Sequence, residues 1–247
     1  MRITDINCFI GYDNNSIHDE YTHKMLIEKM NKYHIDSAVI YDKWAINNHS
    51  EGNQNVRILS EENKEVFSPC YVLSPNLGTN EMPAQDDLYD ILKNDEPAAV
   101  RLFPQSNGFI VDSFYAGELL EVINSLKLPL ILEAGEGIDF KSMPELSKDF
   151  PDIPFVLIGV GLRCTDYIIP LIKKRKNVYF DTSYTIDAGF LDETVNRYGS
   201  EKFLFGSGMP VMEPSGMLSM IIYGSFSNEH KENIFFKNWE RLQEEKK

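Results

Sequence analysis

The chain has 247 residues, 43% of them hydrophobic, with 24 Lys and Arg against 38 Asp and Glu and a formal net charge of −14. The apolar content suits a packed domain and excludes a disordered chain. The acidic balance argues against a nucleic-acid or anionic-membrane partner, since both need a basic patch to replace counterions.

Eight short apolar runs begin near Ile3, Ser37, Phe67, Ala98, Pro129, Pro154, Val178 and Phe203, with starts 24 to 34 residues apart. One strand plus one helix fills such a spacing. The rhythm predicts a single α/β domain over residues 1–247, a (β/α)8 barrel of TIM type, regular or distorted. The first strand is expected over Ile3–Ile10, closed by Gly11. A helix follows from Ser16 or Ile17 to Tyr33, with Ser16 as its N-cap. The second strand, Ser37–Tyr41, ends at Asp42, and a polar loop from Asn47 to Asn55 leads into the next helix. Strand three spans Val66–Leu73 before Ser74-Pro75, and a helix lies between Ala84 and Lys93. Strand four, Ala98–Phe103, stops at Pro104.

A helix from Ser113 to Leu126 precedes strand five, Leu130–Glu133, and the loop Ala134-Gly135-Glu136-Gly137. Strand six, Phe155–Ile158, runs into Gly159-Val160-Gly161. Strand seven is Val178–Asp181 with Thr182-Ser183. Strand eight is Phe203–Phe205 with Gly206-Ser207-Gly208. Helices over Gly216–Tyr223 and Asn228–Leu242 close the chain. The basic run Lys173-Lys174-Arg175-Lys176 reads as the solvated end of a helix, where cations complement the dipole. Met1-Arg2-Ile3 leads straight into the first strand, so no signal peptide is expected, and no apolar stretch nears the ~18 residues of a membrane span. Cys8, Cys70 and Cys164 are too far apart for a zinc pair and point to a reducing, cytoplasmic setting.

Several strand-end phrases resemble the amidohydrolase superfamily, in its amidohydrolase-related (amidohydrolase family 2) branch. They are Val100-Arg101-Leu102-Phe103-Pro104, Val178-Tyr179-Phe180-Asp181-Thr182-Ser183, Phe205-Gly206-Ser207-Gly208-Met209-Pro210 and Asn238-Trp239-Glu240-Arg241-Leu242. The resemblance implies a (β/α)8 barrel and, in typical members, a divalent metal. That metal is held by an Asp-x-His-x-His first strand, histidines after strands five and six, and an aspartate after strand eight. Here the matching positions read Asp5-Ile6-Asn7-Cys8-Phe9, Glu133, Gly159 and Gly208. The metal set is degenerate, so no metal or other cofactor is expected. The five histidines do not replace it: His18, His23 and His34 fall in or beside the first helix, His230 in the last, and His49 in a polar loop.

A barrel of this kind carries its chemistry at the C-terminal strand ends. The polar residues left there are Asp5, Asn7, Arg101, Glu133, Glu136, Asp181 and Ser207. Arg101 stands on an otherwise apolar strand and needs a carboxylate partner, from a ligand or from Glu133 or Asp181. Glu133 and Asp181 are the candidate catalytic residues, with Glu133 able to serve as acid or base. Arg101, Asn7, Ser207 and Asp5 are the candidate substrate-binding residues. Asp181-Thr182-Ser183 also suits a structural role, satisfying backbone N–H groups at a strand end. Cys8 alternates away from Asn7 and belongs to the strand–helix core.

Three functions compete. The first is a metal-independent hydrolase or lyase-like enzyme acting on a small carboxylated molecule. The second is a non-catalytic descendant that binds a ligand or partner in the old cavity. The third is an enzyme with a divalent-metal site rebuilt from Asp5, Glu133 and Asp181, with or without His49. The missing histidines favour the first two. The expected partner is a small anionic molecule.

Overall fold

The computed structural model describes residues 1–12, 20–138, 140–160, 165–183 and 188–246. The expected N-cap Ser16, together with His18, Gly161 and Cys164, lies outside the described residues.

Among the described residues eight parallel strands form the barrel: β1 Thr4–Tyr12, β3 Ser37–Asp42, β4 Phe67–Leu73, β5 Ala99–Leu102, β6 Leu130–Glu133, β7 Phe155–Ile158, β8 Val178–Asp181 and β9 Phe203–Leu204. A two-residue strand, β2 Glu20–Tyr21, pairs antiparallel with the end of β1. The ladder runs in the order β2-β1-β3-β4-β5-β6-β7-β8-β9. The ring closes through the segment after β9. Ile6 N–H donates to the Phe205 carbonyl (2.9 Å), Gly208 N–H to the Asn7 carbonyl (3.0 Å) and Phe9 N–H to the Met209 carbonyl (3.1 Å). The fold is a (β/α)8 barrel.

Strand alternation separates two apolar clusters. Val100, Leu102, Leu130, Leu132, Phe155 and Leu157 face outward into the layer shared with the helices, and Cys8 lies there too. Val72, Ala99, Ile131, Val156 and Leu204 fill the barrel interior. In register, Val72, Arg101, Ile131, Val156 and Tyr179 follow one another around the wall. Arg101 is the cation in that ring of interior positions.

The helices are α1 His23–Tyr33, α2 His49–Glu62, α3 Gln85–Asp95, α4 Pro104–Asn107, α5 Gly117–Ser125, α6 Met143–Asp149, α7 Thr165–Lys174, α8 Ala188–Tyr198, α9 Ser215–Ile222, α10 Asn228–Glu232 and α11 Asn238–Glu245. The first departs from the sequence expectation. It starts at His23, because Thr22 Oγ1 accepts the Met25 N–H, and β2 occupies the preceding residues. The second departs as well. Asn48 caps α2 by accepting the Glu51 N–H (3.1 Å), and its amide reaches Glu51 Oε2 (3.0 Å), so the polar run holds a helix start rather than a loop. The last expected helix is split: a π-helical turn, Asn233–Lys237, joins α10 to α11. Among the described residues no helix is long and apolar enough to cross a membrane.

A 3-10 turn, Lys43–Ile46, links β3 to α2. Gly52 on α2 lies so close to this turn that a Cβ would fall 2.4 Å from Ala45 N and 2.5 Å from its Cα. Gly52→Ala is therefore expected to destabilise the protein by about 1–3 kcal/mol, measured by urea unfolding, because backbone cannot yield as a side chain can. An unchanged midpoint would show that the turn is not held against α2.

Candidate active site

The site begins with a bulge. Asp5 pairs with Ala38 and Cys8 with Ile40, so β1 spends three steps where β3 spends two. The extra residue lets Ile6 join the interior cluster while its neighbour Asn7 also lines the cavity at the strand ends. Bulges re-aim side chains in this way.

Asn7 is the hub. Its Oδ1 accepts from Arg101 Nη1 (3.0 Å), and its Nδ2 donates to Ser183 Oγ (3.1 Å) and Asp181 Oδ2 (3.4 Å). The amide orientation follows, because a guanidinium can only donate. Arg101 Nη2 forms a short ion pair with Glu133 Oε2. The guanidinium also lies 4.4 Å from the Tyr41 ring centre and 4.9 Å from that of Phe103. Burial works against its charge, but Tyr41 and Glu133 more than restore it, so its pKa moves up. Arg101 thus has the internal carboxylate that the sequence left open.

These residues open on a cavity of about 500 Å³. Phe9, Tyr41 and Phe103 give it aromatic walls, with Asn7, Arg101 and Glu133 on the floor, Lys43 on the 3-10 turn after β3 and Glu136 on the loop after β6. Lys43 Nζ sits 4.4 Å from the Phe9 ring centre. Glu136 accepts from Ser106 N–H and Oγ, each at 3.0 Å, which ties the loop after β6 to α4.

The other sequence candidates lie beneath this floor. Asp181 is 3% exposed and accepts from Gly159 N–H (3.3 Å), Asn7 and Ser183. Thr182 Oγ1 bridges to Gly206. Asp5 Oδ1 accepts the N–H groups of Asn7 (3.1 Å) and Ser207 (3.0 Å), while Oδ2 is buried with no partner among the described residues. Ser207 Oγ accepts the Met209 N–H (3.0 Å). Asp5 and Ser207, expected as substrate-binding residues, are both buried and neither lines the cavity. Both brace the β1–β9 closure instead. Burial raises the Asp5 carboxyl to about 6 against the bonds from Ser207 and Asn7. It raises Asp181 to about 7, with the Asp5 charge adding to the effect.

Lys43, Tyr41 and Phe103 were not singled out from the sequence as cavity residues. Alternation was the available signal for Tyr41, since the last positions of β3 share the interior face with Phe9. His49 leaves the mouth altogether. It is the first residue of α2, buried, and lines a different cavity. His23, His34 and His230 stand on α1, its C-cap and α10.

A divalent metal of the kind the family resemblance implies needs several nitrogen, sulfur or carboxylate donors converging on one point. The donors here do not fit it. The Asn7 side-chain oxygen, Oδ1, and the Glu133 carboxylate are both taken by Arg101, whose cation stands between them. Asp5 and Asp181 are below the floor and hold protons more tightly than ordinary carboxyls. Among the described residues no three His, Cys, Asp or Glu side chains are grouped for a metal.

Comparison with known proteins agrees with the architecture. An uncharacterized TIM-barrel protein from Bordetella bronchiseptica superposes with a TM-score of 0.78 at 16% identity, covering 100% of this chain and 99% of that one. Dihydroxybenzoic acid decarboxylase from Polaromonas sp. JS666, solved with manganese and 2-nitroresorcinol, gives 0.77 at 12% identity, with 98% and 97% covered. 5-Carboxyvanillate decarboxylase from Sphingomonas paucimobilis gives 0.73 at 12% identity, with 98% and 99% covered. The curated proteins yield no match. A family model described as Amidohydrolase matches residues 84–242, from the start of α3 into α11, so the chain belongs to the amidohydrolase-related family.

Proposed function

We propose that the protein is an enzyme of hydrolase or lyase type that acts on a small carboxylated molecule at the barrel mouth without a resident metal. The observation that carries this reading is the Arg101–Glu133 couple on the floor of an aromatic-walled cavity of about 500 Å³, a size suited to a small molecule. Neighbours of the same fold named as decarboxylases of carboxylated aromatics support the substrate class.

In this reading the rings of Phe9, Tyr41 and Phe103 hold the substrate body and exclude water. Lys43 meets the substrate carboxylate, and Arg101 shares its charge with it. Glu133 lines the cavity, and its Oε2 is held by Arg101. It therefore receives or delivers the proton at the substrate. Asp181 acts as a positioning residue through Asn7 rather than by contact. Binding of a panel of benzoates and short di- and tricarboxylates, read as thermal shifts, tests the site. Active members of the panel should raise the melting temperature, Lys43→Met should remove the shift, and Glu133→Gln should slow turnover by about 100-fold or more. Turnover should survive chelation. Stoichiometric metal in the isolated protein, lost on Glu133→Ala, would overturn metal independence.

One observation favours a second reading. The Arg101 charge is already matched by Glu133 and Asn7, as a structural pair would be. A non-catalytic descendant would then bind carboxylates with no turnover in any panel member.

A further inference from the structure

The cavity at the barrel mouth carries one charge that the proposed chemistry leaves unused. Among the described residues its lining holds two cations, Lys43 and Arg101, and two carboxylates, Glu133 and Glu136. Arg101 and Glu133 neutralise one another on the floor. Lys43 answers the substrate carboxylate in the proposed reading. Glu136 has no such counterpart: no Lys, Arg or His among the described residues lies within ion-pair distance of it.

The Glu136 side chain is nevertheless held in place. Its Oε2 accepts the Ser106 N–H, and both its oxygens lie 3.0 Å from Ser106 Oγ. Its backbone carbonyl accepts the Gln105 N–H (3.1 Å), and its own N–H donates to the Glu133 carbonyl (3.0 Å), closing a turn that carries both carboxylates. Asn107 Nδ2 ties α4 in turn to the carbonyl of Ile46 (2.8 Å), the last residue of the 3-10 turn that begins at Lys43. The turn after β3, α4 and the loop after β6 are therefore cross-linked, with β4 and β5 between Lys43 and Glu136 in the ring. A carboxylate fixed in this way spares a ligand the entropy of ordering it. Ser106 supplies two donors, whereas an ionised carboxylate can accept about four hydrogen bonds, so acceptor positions remain.

We infer that Glu136 is a specificity residue that selects substrates carrying a cationic amine remote from their carboxylate, so that the mouth takes an amino carboxylate in preference to a dicarboxylate. This rests on the reading of the mouth as a carboxylate site. The four charges of the lining sum to zero, and a zwitterion keeps them so. A monocarboxylate adds an uncompensated negative charge to a chain that already carries a formal −14. An ammonium at Glu136 forms a charge-assisted hydrogen bond, which a neutral hydroxyl matches only in geometry. A second carboxylate meets a like charge there, and such repulsion is how a site rejects near-matches. Because Lys43 and Glu136 stand on separate segments of the wall, the two charged groups belong at different ends of the substrate, with its body against the rings of Phe9, Tyr41 and Phe103.

The test is a calorimetric titration of the full-length protein with three probes of one shape: 4-(aminomethyl)benzoate, 4-ethylbenzoate and 4-(carboxymethyl)benzoate. The native protein should bind the amine about fivefold more tightly than the ethyl compound, within the range of a partly exposed charge pair, and the dianion most weakly. Added salt should shrink the preference. Glu136→Gln keeps the tie to Ser106, since its amide oxygen accepts the N–H and its nitrogen donates to Oγ. It should bring the amine and ethyl compounds within about twofold of each other while leaving the ethyl compound's own affinity in place. Glu136→Lys should reverse the order and favour the dianion, an outcome that a merely damaged loop would not give. The inference alone fails if 4-ethylbenzoate binds in a Lys43-dependent way and the amine binds no more tightly. It fails likewise if the preference survives in Glu136→Gln, which would make Glu133 the group that meets the amine. If none of the three probes binds, or if Lys43→Met leaves their binding unchanged, the carboxylate reading of the mouth fails and takes the inference with it.

Discussion

Glu133→Ala is expected to destabilise the protein by about 3–5 kcal/mol, and Arg101→Met by only about 1–3 kcal/mol, although both remove the same ion pair. The asymmetry follows from exposure: the Arg101 side chain is 3% exposed and that of Glu133 is 27%. Deleting Glu133 leaves a guanidinium inside the barrel with one amide oxygen and two ring faces for company. Those rings stabilise a desolvated cation by roughly 0.5–2 kcal/mol each, which softens the loss without cancelling it. Deleting Arg101 leaves a carboxylate that reaches water through the cavity. Methionine then fills part of the vacated space, and the main residual loss is Asn7 Oδ1 left without its donor. Urea unfolding of the two variants at constant pH gives the order directly. The opposite order would mean that Arg101 does not rely on Glu133. It would return the arginine to the role of a ligand-facing charge, and carboxylate binding should then be lost in Arg101→Met at little expense of stability.

How much of this was legible in the sequence depends on the range of the interaction. The eight strands were readable because each is a local apolar run, and interior strands of a parallel barrel are apolar on both faces. Arg101 was readable for the same reason, as a charge that interrupts such a run. The role of Asn7 was not, because its partners Asp181 and Ser183 are 174 and 176 residues away and a β1 bulge decides which way it points. Asp5 and Ser207 sat at the right strand ends, but only the packed barrel shows that they face the closure of β1 on β9 rather than the cavity. His49 was misplaced for a different reason. The signal for a helix start was local and present, Asn48 followed three residues later by Glu51, yet the polar composition of residues 47–55 was read as loop. The helix α1 start shows the same competition. Ser16 and Thr22 are both acceptable caps by residue type, and pairing of β2 with β1 selects the later one.

Raising the pH from 4 to 8 should progressively remove the stability that the two carboxyls beneath the floor contribute. Asp5 and Asp181 titrate at about 6 and about 7 in the folded protein, both pushed up chiefly by burial, against about 3.9 in an unfolded chain. Between these values the folded state holds protons that the unfolded state has released, so unfolding becomes easier as the pH rises. The contribution is complete below about pH 4 and lost by about pH 8. His49 opposes it, because its lowered pKa makes the folded state the poorer proton binder on acidification below its ordinary value. The opposing effect is present in native protein and in an Asp181→Asn variant alike, so it cancels in their difference. The amide introduced by that substitution keeps an oxygen for the Gly159 N–H, and its nitrogen can donate to Ser183 Oγ, but that nitrogen no longer accepts from Asn7 Nδ2 as Oδ2 did. It carries no charge to bury. Asp181→Asn should therefore fall below the native protein near pH 4 by about one hydrogen bond, ~1 kcal/mol, and gain about 2–4 kcal/mol on it between pH 4 and pH 8, in urea unfolding across that range. Parallel curves for the two proteins would show that Asp181 titrates normally. The ionised carboxylate would then be an ordinary hydrogen-bond acceptor under Asn7, and pH would have no lever on the Asn7–Arg101–Glu133 chain from below. If the curves diverge as expected, the same titration should reach the cavity. An ionised Asp181 draws the Asn7 Nδ2 more strongly than a neutral one, and the Asn7 Oδ1 that holds Arg101 turns with it.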